Sequence, residues 1–224
     1  MFDPLREPEA QARELRVLRS EYPFYGLKTQ PTMIEAPITE LQGVGRVFLE
    51  LAQEWDIPLL IHSSVIESDV WAQARDIINI AKKTPAVRFC VAHSCRFDWE
   101  QLERIAELAN CWFDCSAHII HCRLADQNYP IVAPSSRRFP SDYANPSKVL
   151  NDLAQAYPTK LIWGSDSPYY SFDSNFSGER LALLSSYQEE VDTLQTLPEP
   201  LRWQISELNT LNFLQLPSAT TSTL

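Results

Sequence analysis

Pro58-Leu59-Leu60-Ile61-His62 and Arg88-Phe89-Cys90-Val91-Ala92-His93 are two apolar runs that each end on a histidine. A third run, Leu161-Ile162-Trp163-Gly164-Ser165-Asp166, ends on an aspartate. Short apolar runs rich in Leu, Ile and Val, bounded by turn residues, read as buried strands. Each run therefore delivers its polar residue at the C-terminal tip of a strand. Tips of successive parallel strands converge, and α/β proteins place their chemistry there. Two imidazoles and a carboxylate suit a divalent metal, or a base working beside one.

Working outward, helical and extended segments alternate. Residues 8–21 carry apolar positions at a helical period, and 24–28 form a short strand. A helix spans 43–55 and ends at Asp56-Ile57-Pro58. Another spans 67–83, with Trp71, Ala74, Ile77, Ile78 and Ala81 on one face, and stops at Pro85. A helix at 98–109 leads to a strand at 111–116. An irregular stretch covers 117–145, followed by a helix at 146–157 and a strand at 160–165. Helices near 178–196 and 198–214 close the pattern. Strands alternating with helices at this spacing predict a parallel sheet with right-handed crossovers. Five strands are too few to close an eight-stranded barrel, which needs about 250 residues. Residues 1–216 read as one domain and 217–224 as a disordered tail.

Bulk properties exclude several roles. The 224 residues are 45% hydrophobic and 21% charged, enough for a sizeable core. The net charge of −10 disfavours nucleic acid and anionic membranes. No apolar stretch reaches the roughly 18–20 residues of a membrane span. The start, Met1-Phe2-Asp3-Pro4-Leu5-Arg6-Glu7, lacks the apolar centre of a signal peptide, so a cytoplasmic location is expected. Five cysteines, Cys90, Cys95, Cys111, Cys115 and Cys122, are an odd number in such a chain. They read as buried thiols rather than a disulfide framework or a zinc knot.

Four motifs in order resemble the amidohydrolase superfamily, in the amidohydrolase-related branch that includes aminocarboxymuconate-semialdehyde decarboxylase. Tyr25-Gly26-Leu27-Lys28-Thr29-Gln30-Pro31 is similar to the fourth-strand G-x-K-x-H-P pattern, with Gln30 in place of its histidine. Leu51 to His62 resembles the fourth helix and fifth strand. Val91-Ala92-His93 resembles the sixth strand, and Trp163-Gly164-Ser165-Asp166-Ser167-Pro168 the eighth. Ile205 to Leu214 is similar to the closing helix. The resemblance covers roughly residues 8–216. It implies a TIM-barrel-type (β/α) fold, incomplete at about five of eight units.

What the resemblance implies for the site is specific. His62 and Asp166 would be ligands of a divalent metal, zinc above all, and Asp166 also the general base. His93 would steady developing charge or act as a base. Lys28 would bind a substrate carboxylate or be a carbamylated bridge between metals; a plain solvated lysine is an equal alternative. His118, His121, Arg123, Arg137, Arg138 and Tyr143 lie in the 117–145 stretch expected over the active face. The arginines suggest a bidentate clamp on a substrate carboxylate, or simply a charged lid. Asp114 reads as structural. The family's His-x-His pair belongs to a first strand upstream of everything matched here, and His118 and His121 do not replace it. The implied function is hydrolysis of an amide or ester-like bond, or decarboxylation, of a small-molecule substrate. The alternative is a non-catalytic remnant acting as a binding module, with an exposed sheet edge open to a second copy.

Overall fold

The computed structural model describes residues 1–168 and 185–217, and for 173–176 and 179–182 the backbone alone. In chain order the elements are α1 (Pro8–Glu21), β1 (Leu27–Thr29), α2 (Pro31–Ile34), α3 (Arg46–Trp55), β2 (Leu59–Ile61), α4 (Ala74–Lys83), β3 (Phe89–Val91), α5 (Trp99–Ala106), β4 (Cys111–Asp114), α6 (His118–Asp126), α7 (Pro146–Ala156) and β5 (Leu161–Ile162). After β5 come the hairpin strands β6 (Asp173–Phe176) and β7 (Glu179–Ala182), then α8 (Tyr187–Gln195), α9 (Glu199–Trp203) and α10 (Asn209–Leu214). A π turn at Gln204–Leu208 links the last two helices.

β1 to β5 form one parallel sheet in sequential order, as the alternation of strands and helices predicts. The register aligns Thr29, Ile61, Val91, Phe113 and Leu161 in one row. All five are fully buried, on the face covered by the helices. Side chains alternate along a strand, so Lys28, Leu60, Cys90 and Trp112 form the adjacent row on the opposite face. Cys90 and Ile162 of that face pack with Leu60, Trp112, Phe213 and Leu214 as a small second core.

Both outer strands carry intrachain partners, where an exposed edge was expected. Beside β1, the Phe2 amide donates to the Lys28 carbonyl at 3.0 Å, and Thr29 Oγ1 donates to the Phe2 carbonyl at 2.8 Å. The Phe2 ring is buried against Phe48 at 4.4 Å. Beside β5, the Trp163 amide donates to the Ile205 carbonyl at 2.9 Å, and Asn209 Nδ2 donates to the Leu161 carbonyl at 2.6 Å. The C-terminal segment then reaches the N-terminal end of β3. There Arg88 Nε donates to the Phe213 carbonyl at 2.7 Å, and its Nη atoms bond Asp56 Oδ1 at 2.5 Å and the Asp56 carbonyl at 2.6 Å. Arg88→Ala should cut this tie. Amide exchange at 209–214 should then speed up at least tenfold, with β2 unchanged; equal rates in both proteins would show that Arg88 does not hold the segment.

Three expected elements differ. The helix expected near 178–196 starts at Tyr187, and Glu179–Ala182 is strand β7 instead. The helix predicted over 67–83 starts at Ala74. Asp69 Oδ1 accepts from the Trp71 and Ala72 amides, which locks a turn where the helix would have begun. The stretch 117–145, predicted irregular, contains the buried helix α6. The five cysteines are free and buried, as expected. The tail beyond Pro217 lies outside the described residues.

Candidate active site at the strand tips

β2 ends and places His62; β3 ends and, after Ala92, places His93. Their rings meet edge to face at 4.7 Å, with His93 Nε2 and His62 Nδ1 2.9 Å apart. His93 begins an unusual turn. His93, Ser94, Cys95, Arg96 and Phe97 all have positive φ, between 47° and 66°. Non-glycine residues adopt this left-handed backbone at a cost of roughly 1–2 kcal/mol each, so surrounding contacts must hold it. Asp114 Oδ1 accepts from the His93 amide at 2.9 Å, and Ser94 Oγ donates to the Asp114 carbonyl at 3.1 Å. The Ala133 amide bonds the Arg96 carbonyl and the Phe139 amide bonds the Phe97 carbonyl, each at 2.9 Å.

The turn aims Arg96 back beneath the tips. Its guanidinium bonds His62 Nε2 at 3.3 Å, His121 Nε2 and the Ser63 carbonyl. These contacts fix the tautomers. A guanidinium only donates, so both Nε2 atoms accept, and His62 carries its proton on Nδ1. That Nδ1–H donates to His93 Nε2. His93 Nδ1–H then faces the Ser116 carbonyl at 3.1 Å and Ser116 Oγ at 2.9 Å. Ser116 Oγ donates to Asp114 Oδ1 at 2.5 Å. One unbroken chain of hydrogen bonds thus runs Arg96, His62, His93, Ser116, Asp114.

Burial differs among these residues. His93, Arg96, Asp114, Ser116 and His121 are buried. Lys28 is exposed, and His62 and Asp166 are half-buried. Burial holds the His62, His93 and His121 imidazoles well below the usual histidine range, and the Arg96 cation adds to this. Asp166, left-handed at φ 58°, has its carboxyl pushed up by burial. The Lys28 charge opposes that shift, and Lys28 and Arg96 both act on Asp166 and on His62. A raised carboxyl moves toward neutral pH, where an acid–base group works best.

The structure therefore gathers His62 and His93, while the Lys28 charge acts on His62 and on Asp166. It does not bring Arg123 or Arg137 to this cluster. Arg123 pairs with Glu189 and Arg137 with Asp98, each at 2.9 Å. Arg138 donates to the Ala133 and Ala125 carbonyls, and Tyr143 to the Phe139 carbonyl, so this stretch is tied into structure. The sequence gives no role to Arg96 or Ser116, and it puts His121 in the stretch expected over the active face, where the structure has it buried in α6 and bonded to Arg96. His121 had a signal: His118 and His121 share one face if the segment is helical.

The sequence pattern of the amidohydrolase family matches residues 2–213. The chain belongs to the amidohydrolase family. Among solved structures, a dihydroxybenzoic acid decarboxylase from Polaromonas sp. JS666, with bound manganese and the inhibitor 2-nitroresorcinol, aligns with a TM-score of 0.60 at 15% identity. That alignment covers 100% of this chain and 70% of the decarboxylase. An uncharacterized TIM-barrel protein from Bordetella bronchiseptica aligns at 0.59 and 12% identity, over 96% of this chain and 64% of its own. Dihydroorotase from Campylobacter jejuni aligns at 0.58 and 19% identity, over 92% of this chain and 62% of its own. The chain thus spans less than two thirds of the last two. At these identities the likeness shows the fold, and five sequential parallel strands fit an incomplete TIM barrel. No curated protein matches the sequence.

The donors present do not fit a divalent metal as arranged. Catalytic zinc takes three protein ligands and an open position. Both ring nitrogens of His62 are already hydrogen-bonded, one of them to a cation. Among the described residues, no group of three His, Cys, Asp or Glu side chains is placed to hold an ion.

Proposed function

We propose that this amidohydrolase-family chain binds a small carboxylate-bearing ring compound over the strand tips and acts on it by hydrolysis or decarboxylation. What supports this reading is that Lys28 is exposed and His62 and Asp166 are half-buried, with His62 hydrogen-bonded to the buried His93 and Arg96. Lys28 supplies a charge-assisted bond to the carboxylate. Asp166 is the general acid or base. His62 presents its imidazole to the substrate side, and His93, buried beneath it, fixes the ring rather than touching substrate. Both activities are represented by name among the neighbours, a decarboxylase and a dihydroorotase. The decarboxylase holds manganese, and a divalent metal, zinc above all, is the cofactor that the family resemblance implies; the His62 contacts described above stand against one at that residue.

Turnover of dihydroxybenzoate and of dihydroorotate tests the reading. Asp166→Asn should lower kcat/KM by about 10²–10⁴. Lys28→Met should raise KM about tenfold or more, the loss of a charged hydrogen bond. Full activity in Asp166→Asn would sink the proposed role. A second reading, a carboxylate-binding module without turnover, is favoured by the guanidinium on His62. Under it, calorimetry detects Lys28-dependent binding of these compounds while neither is consumed.

A further inference from the structure

We propose that Arg96 is the resident cation of this site, filling the place between His62 and His121 so that no divalent metal binds at His62. Three observations converge. First, one guanidinium meets the Nε2 atoms of two histidines from separate elements, His62 after β2 and His121 in α6. Those are the lone pairs a metal would need, since Nδ1 of His62 is directed to His93. Second, the guanidinium is fixed there. It is buried, it also bonds the Ser63 carbonyl, and its backbone is held in a five-residue left-handed turn by Asp114, Ala133 and Phe139. A metal at His62 Nε2 would have to displace a buried charge from all these partners. Third, a divalent ion beside an arginine that stays in place meets like charge in a partly dehydrated site, where repulsion is weakly screened.

The consequence for substrate is direct. The positive potential that a metal would offer a carboxylate or a developing oxyanion comes here from Arg96 and Lys28, both of which act on Asp166 and His62. Arg96 lies beneath the imidazoles, so it is a positioning and electrostatic residue rather than one in contact with substrate.

Metal content tests this with no substrate present, so its outcome is separable from that of the turnover assay. Wild-type protein and His62→Ala are each incubated with zinc chloride or manganese chloride, dialysed, and analysed for metal per chain. The same content in both is expected. Loss of one equivalent in His62→Ala would overturn the proposal. Arg96→Met, with folding checked by circular dichroism, is then titrated with zinc. It should bind at least tenfold tighter than wild type, and the added His62→Ala change should abolish the gain. No gain in a folded Arg96→Met would overturn the claim that the guanidinium excludes the metal. If Arg96→Met does not fold, Arg96→Lys takes its place: it keeps the charge and should gain no zinc affinity, and a tenfold gain would count against the charge argument.

Discussion

Lowering the pH from 7 to 4 should unfold this protein cooperatively. All four of its histidines have pKa values below the ordinary range, chiefly through burial. The unfolded chain therefore binds more protons than the folded one below about pH 6.5. Stability is fully present above that pH and is lost as the pH falls toward the folded-state values. For His118, lowered to about 4, the loss by pH 4 is of order 3 kcal/mol. Three more imidazoles act in the same direction, against a total domain stability of about 5–15 kcal/mol. Glu190 opposes them. Burial raises its carboxyl to about 7, so its cost to the folded state fades as pH falls from 7 toward its unfolded value of 4.5. Glu190→Gln removes this offset and should steepen the acid transition. Urea unfolding followed by circular dichroism at pH 7.5, 6, 5 and 4 measures both effects. A midpoint that does not move over this range would contradict the burial of neutral imidazoles.

Asp114→Ala should cost about 3–5 kcal/mol. Its Oδ1 accepts from the His93 amide, the Ser116 amide and Ser116 Oγ, at 2.9, 2.9 and 2.5 Å. Removing the carboxylate leaves these buried donors unpartnered, at about 1–3 kcal/mol for each group. It also takes away the anchor of the left-handed turn, so the strain there can relax by opening. Asp114→Asn keeps an acceptor and should cost less. For a chain of this size the alanine variant should melt roughly 10 °C lower. A loss below 1 kcal/mol would mean that the turn at 93–97 is held by its flanks alone.

The sheet was legible because its signals are local. Pro58 and Pro85 mark where helices stop, and the apolar runs after them are too short and too branched for helices. The histidines at the run ends follow from strand direction. What could not be read was long-range or left-handed. Nothing in His93-Ser94-Cys95-Arg96-Phe97 announces five positive φ values, since no glycine is present, so Arg96 had no visible route to His62. Helix α6 looked like loop because Ala117 at its N-cap offers no capping side chain. The cap comes from Glu190, whose carboxylate accepts from the Ile119 amide across 71 residues of sequence. Arg123 and Arg137 read as substrate ligands in sequence because their acidic partners, Glu189 and Asp98, are distant along the chain. The helical period from 67 gives no sign of the Asp69 turn, which competes with the helix locally and delays its start to Ala74.

The bond between Arg88 and the Phe213 carbonyl joins residues 125 apart in the chain. At a synthesis rate of 5–20 residues per second, a growing polypeptide would wait roughly 6–25 s between making the two ends of that bond. Within that interval β5, once made, lacks Ile205 and Asn209 until they follow, and the apolar row at Leu60, Cys90 and Trp112 lacks Phe213 until its end. Until α10 is made, that apolar row is therefore open to stray association, and docking of Phe213 and Leu214 covers it.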